Sequence, residues 1–144
     1  MGYVEANLLP DEKLVHKATI HWLIFWKALL VTALGIIFFA IEPAIGIIVV
    51  VIGLVMFLPP WIVRRTSEFG VTTKRVIVKT GLVQRRTLEL LLRQVEAISV
   101  DQGFMGRVFN YGSITLSGTG GVREVFHNIA APLEFRRHIH SQTA

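Results

Sequence analysis

The stretch Ala44 to Val63, AIGIIVVVIGLVMFLPPWIV, runs twenty residues without a charge. At about 1.5 Å of rise per residue, a helix of that length reaches roughly 30 Å, the thickness of a bilayer's hydrocarbon core. A second apolar run, Trp22 to Ile41, precedes it, separated by Glu42-Pro43 and interrupted only by Lys27. So short a connection makes the two helices antiparallel neighbours, and the chain enters and leaves the membrane on the same side. A cleaved signal peptide fits the first run poorly. The run is too long for an apolar signal core, begins some twenty residues in, and has no small-x-small cleavage site across Gly35 to Glu42. A buried soluble hairpin is disfavoured by the uncharged length.

Charge orients the hairpin. Residues 1–27 balance three acids against three lysines, whereas residues 64–109 carry nine Lys/Arg against four Asp/Glu. Lys13 and Lys17 precede the first span, and Arg64, Arg65, Lys74 and Arg75 follow the second, while the turn between the spans has no basic residue. The positive-inside rule therefore puts both termini in the cytoplasm and the turn outside, a two-span protein of the cell's inner membrane. Trp22 and Trp26 suit the headgroup level. Lys27, about one and a half turns inside Trp22, snorkels to the cytoplasmic surface; an ion site would want a partner carboxylate, and the spans have none.

Small residues mark where the helices meet. Ala28, Thr32 and Gly35 share one face of the first helix, and Gly46 and Gly53 one face of the second, allowing the close backbone approach that drives helix association in lipid. The same faces could serve contacts between protomers. Pro59-Pro60 and Trp61 are read as the cytoplasmic exit of the second span, where proline ends the hydrogen-bond ladder.

The 144 residues accommodate one compact domain beside the hairpin. The expected division is a cytoplasmic N-terminal segment, 1–21, then the hairpin, 22–63, then a cytoplasmic domain, 64–144. After Arg65 the periodicity changes from helical to alternating. Glu68–Thr72 and Arg75–Lys79 read as strands around Thr73-Lys74, with a third from Val83 to Glu89, a fourth from Val95 to Asp101, and a helical turn at Phe104–Phe109. Ser113–Ser117 is the cleanest alternation, with Ile114 and Leu116 inward. Gly118-Thr119-Gly120-Gly121 turns the chain into Val122–Ile129. Pro132 opens a closing helix whose Phe135 and Ile139 lie one turn apart. Lys13–Ile20 is the natural candidate for a seventh strand, an interfacial helix being the alternative reading. The fold class is thus α+β: a two-helix transmembrane hairpin followed by an antiparallel β-barrel or sandwich capped by a C-terminal helix.

Chemistry is sparse. The absence of cysteine removes disulfides, thiolate metal sites and thiol catalysis. Gly118 to Gly121 completes neither a G-x-G-x-x-G nor a P-loop, because Arg123 stands where the last glycine belongs and no Lys-Ser/Thr follows. His138 and His140 point to different faces of a helix, and His127 lies on a strand without an evident partner. No catalytic constellation assembles, so neither an enzyme nor a cofactor is expected. Nucleic acid is not an expected partner either, since the basic stretch lacks interleaved stacking aromatics or a groove-reading helix.

The ordered set Thr72-x-x-Arg75, the Thr80-Gly81 turn with its following arginines, R-Q-V-E-x-I-x-V at Arg93 to Val100, and G-R-x-F-x-Y-G-x-I at Gly106 to Ile114 resembles the bacterial pleckstrin homology (PH) family of YdbS-like membrane proteins. The preceding hairpin matches that family's domain order. The resemblance implies a PH-like barrel and brings no activity with it, because fold does not confer function. Two binding roles follow for the chain. One is a protein-interaction or self-assembly module at the bilayer, whose partner is a second copy or another membrane protein. The other is recognition of anionic lipid headgroups by Arg64, Arg65, Lys74, Arg75, Lys79, Arg85, Arg86 and Arg107.

Overall fold

The computed structural model describes residues 2–143, which divide into two units: residues 22–65, and residues 2–21 together with 66–143.

The first unit is helical. A 3-10 turn at Trp22–Phe25 leads into α2 (Trp26–Ile41), followed by α3 (Pro43–Val55) and the start of α4 (Leu58–Thr66); α1 (Tyr3–Ala6) belongs to the other unit. Helix α2 stops because Glu42, which precedes a proline, is driven out of the helical region to φ −140°, ψ 102°. Pro43 then opens α3 at a position that needs no backbone donor. The two helices pack antiparallel through their small residues. A Cβ on Gly53 would stand 2.3 Å from Thr32 Oγ1, and one on Gly46 2.3 Å from the Phe39 Cα. Gly35 lies against Val50, and Ala28 is buried. Pro59 and Pro60 do not end the helix as expected. The break comes earlier, at Met56-Phe57, and both prolines fall in the first turn of α4, where the missing amide sacrifices no intrahelical bond. Both helical stretches, Trp22–Ile41 and Pro43–Thr66, are long and apolar enough to cross a membrane.

The second unit is a two-sheet sandwich with helices. Strands β1 (Leu14–Ala18), β2 (Glu68–Thr72), β3 (Arg75–Thr80) and β4 (Arg86–Leu91) form one antiparallel sheet in that order. Strands β5 (Val95–Asp101), β6 (Tyr111–Gly118) and β7 (Val122–Ala130) form the other. The third strand starts at Arg86 rather than Val83, because Gly81 at φ +90° turns the chain into an exposed loop. Helix α5 (Phe104–Phe109) joins β5 to β6 and ends on Asn110 in the left-handed region.

Strand β6 alternates along its whole length, with Ile114 and Leu116 fully buried. Phe69 of β2 meets Phe126 of β7 edge-to-face at 5.5 Å across the sandwich. On the outer face of β2, Val4 from α1 covers Gly70, so this strand is buried on both sides. Helix α6 (Pro132–Thr143) packs on β1, β5 and β6 and buries Phe135 and Ile139. Each of those two side chains contributes about 1.5 to 3 kcal/mol by leaving water.

Candidate functional site

A dense polar cluster surrounds Arg75. Strand pairing places it at the start of β3, opposite Leu91 of β4. Its Nε donates to Glu12 Oε1 at 3.0 Å, its Nη2 to Glu12 Oε2 at 3.1 Å and to the Asn7 carbonyl at 2.7 Å, and its Nη1 to Glu89. Thr72 donates its hydroxyl to Glu12 at 2.6 Å and accepts from the Arg75 amide at 3.0 Å, while the Leu9 amide donates to Glu12 at 2.7 Å. Burial alone would raise the Glu12 pKa; the hydrogen bonds from Arg75, Leu9 and Thr72, together with the Arg75 charge, outweigh it and leave the carboxyl below its ordinary range. Hydrogen bonding to Glu12, partly opposed by burial, holds Arg75 above its own. This cluster is a clasp fastening residues 7–12 to the sandwich, with its hydrogen-bonding capacity spent internally. Sequence reasoning saw the Thr72-x-x-Arg75 spacing but missed Glu12. The available signal was an acidic residue in the polar turn just before a strand destined to lie beside β2.

That clasp corrects the basic patch. Arg75 is buried and cannot face a headgroup. Lys74, on the β2–β3 turn, donates to the Pro10 carbonyl at 3.1 Å. At the opposite end of the sheet, Lys79 lies 5.3 Å from the Tyr3 ring centre and Arg86 pairs with Glu124. Arg85 in the β3–β4 loop and Arg107 on α5 are exposed. Arg64 and Arg65 form the last turn of α4 in the hairpin unit, where the Arg65 guanidinium stands 5.5 Å from the Trp61 ring centre. The six of these residues that belong to the sandwich unit therefore do not make one surface. The register separates Lys74 and Arg75 from Lys79, Arg85 and Arg86 by the length of β3.

Two histidines found partners that the sequence did not advertise. His127 Nδ1 lies 2.9 Å from Ser113 Oγ. The His16 ring, on β1, stacks on His138 of α6 with centroids 4.2 Å apart and planes 7° from parallel. Burial, reinforced by the nearby His138, lowers the His16 pKa against the opposing pull of Glu134. A strand–helix contact between residues so far apart in the chain leaves no local signal.

Each unit has a cleft among its described residues. One, of about 340 Å³, is wholly apolar and lies within the hairpin unit between Trp22, Phe25, Leu29, Phe57, Leu58 and Trp61. The other, of about 450 Å³, lies in the sandwich unit between Thr73, Lys74, Arg93 and the end of α6 at Gln142 and Thr143. No group of His, Asp and Glu that could hold a metal occurs among the described residues.

Comparison with known proteins bears on this architecture. A family model described as bacterial PH domain matches residues 27–143. Among solved structures, the chain is similar to a DUF1696 family protein with a pleckstrin-homology domain from Shewanella loihica PV-4. That likeness is 14% identity and TM-score 0.43, over 54% of this chain and 71% of that one. No curated protein matches. PH domains are generally non-catalytic binding modules. The family match takes in most of the chain, which therefore belongs to the bacterial PH domain family.

Proposed function

We propose that this is a binding module tethered to the cytoplasmic membrane by its α2–α4 hairpin, with both termini and the PH domain in the cytoplasm, and that it works there by contacting another protein or a second copy of itself. The observation that supports the tether is the direction in which the hairpin spends its side chains. Its small residues are turned inward, while Ile36, Ile41 and Ile48 remain 62%, 74% and 60% exposed. A core helix of a soluble protein would bury such residues; in lipid they face solvent of their own kind. Lys27 lies near the start of the first stretch and Arg64-Arg65 near the end of the second, as the positive-inside rule asks of a cytoplasmic face.

A contact role in preference to chemistry follows from the family and from the polar groups, which satisfy one another. Lipid headgroup recognition is the second reading, supported by the exposed Arg85 and Arg107. Single-cysteine labelling tests the tether directly, since the chain has no cysteine of its own. Glu42→Cys is expected to react only from outside the cell and Thr119→Cys only after the membrane is opened; labelling of both from one side would refute the topology. Cross-linking in native membranes is expected to trap a defined oligomer or one reproducible partner. A strict monomer with no partner would leave headgroup recognition as the surviving role.

A further inference from the structure

Both points at which the chain passes between sandwich and hairpin lie at one end of the sandwich. Ala18 pairs with Phe69, Ile20 bridges Ile129, and His21 donates its amide to the Asn128 carbonyl at 2.7 Å while its ring lies 5.2 Å from that of Tyr111. The returning chain re-enters at Ser67 and Glu68, the latter opposite Lys79.

That same end carries two projecting apolar elements. The β3–β4 loop continues beyond the Thr80–Arg86 pair and exposes Leu82 by 60% and Val83 by 94%. Helix α5 packs its Gly106 close to the Tyr111 carbonyl and leaves Phe104 80%, Met105 51% and Val108 61% exposed. Phe104 and Val108 are one helical turn apart and so share a face. Arg85 and Arg107, both exposed, flank the apolar residues. The opposite end differs: its Thr73-Lys74 and Thr119-Gly120-Gly121 turns are polar or without side chains, and Leu9, 49% exposed beside the Pro10 carbonyl that Lys74 bonds, is a single apolar residue there rather than a cluster.

We propose that Leu82, Val83, Phe104, Met105 and Val108 form an interfacial foot that enters the headgroup–acyl boundary of the bilayer, with Arg85 and Arg107 on lipid phosphates. The inference rests on the membrane-tethered reading above. The occupant is the lipid surface because of chain continuity and charge. His21 is followed directly by the first residue of an apolar helix, so this end of the sandwich is held within a few residues' reach of whatever surrounds that helix. Apolar side chains rimmed by arginine match an anionic interface, where the former replace water by acyl chain and the latter meet phosphate. A docked foot would fix the domain's orientation and turn the polar end, with the Thr73–Gln142 cleft, toward the cytoplasm.

The test is spin-label accessibility in the full chain, reconstituted in vesicles of phosphatidylcholine and phosphatidylglycerol. Labels go at Val83→Cys, Phe104→Cys, Thr119→Cys and, within the hairpin, Ile37→Cys. At positions 83 and 104 the expected result is collision with oxygen exceeding that with a water-soluble nickel complex, and a loss of nickel accessibility relative to position 119. Two results overturn the foot while leaving the tether intact, provided position 37 remains oxygen-rich and nickel-poor. One is nickel accessibility at 83 and 104 equal to that at 119; the other is protection from both reagents, the mark of a protein contact. Free nickel access at position 37 would instead overturn the tether, and the foot with it. Two labelled sites on separate elements keep the answer secure should one label disturb its own loop.

Discussion

Arg75 carries more of the fold than its place in a basic run suggests. Its guanidinium joins β3 to two other pieces of chain, residues 7–12 through Glu12 and Asn7 and β4 through Glu89, and the Glu12 carboxylate it holds is fully enclosed. Removing one charge of a buried pair leaves the other uncompensated, at a cost of about 3 to 5 kcal/mol. Glu12→Gln is therefore expected to destabilise the full chain by about 3 kcal/mol, the lower end because Glu89 remains as a partner; denaturant unfolding of the sandwich checks it. The lowered Glu12 pKa sets the pH dependence. A carboxyl that ionises more readily folded than unfolded contributes its full stability above the ordinary carboxylate range and loses it as pH falls toward the folded value. Wild-type stability should accordingly decline with acidification through that range, and Glu12→Gln should flatten the decline. A decline of equal slope in the variant would assign acid lability elsewhere. The lesson about legibility is specific: Arg75 looked like one more surface cation because burial depends on Glu12, which only the pairing of β1 with β2 brings alongside.

The helices show how small residues set an interface. Gly46 and Gly53 sit on the turns of α3 that touch α2, and a single Cβ at Gly46 would meet the backbone of Phe39, which has no rotamer by which to move aside. Gly46→Ala must separate the helices, at about 1 to 3 kcal/mol by the usual cost of overpacking. The same change at Gly103, whose added Cβ would meet nothing within 4 Å, is the control. Thermal unfolding in mild detergent should separate the two variants, and equal behaviour would mean that the glycines do not determine the packing. The seven-residue spacing of Gly46 and Gly53 made this interface legible without coordinates. The location of the break was not legible: two successive prolines read as a terminus, yet the first turn of a new helix accepts them at no loss, and α4 runs on to Thr66.

The whole molecule is two units whose connection the charges are proposed to orient. If arginines at the end of α4 hold the cytoplasmic side, Arg64→Glu combined with Arg65→Glu should raise the fraction of chains in which Glu42→Cys is labelled from the wrong face, read by reagent protection in intact cells. An unchanged distribution would assign orientation to Lys13 and Lys17. The order of strands, the alternation of β6 and the closing helix with Phe135 and Ile139 could be read from residue spacing, because each is a local pattern repeated with its own period. The basic patch could not. Its members are near neighbours along the chain, but strand pairing carries them to opposite ends of a sheet and buries one of them.

Apolar length, turn residues and alternation are properties of contiguous chain, and they suffice to specify two apolar helices and an antiparallel β domain, while the ordered motifs from Thr72 to Ile114 carry the resemblance to its family. Which charges stay on the surface, that His16 would stack on His138, and that an apolar loop and a short helix would project from the same end of the sandwich are consequences of contacts between residues far apart in sequence. No local pattern encodes those contacts, since they exist only once the strands have paired and α6 has closed over them.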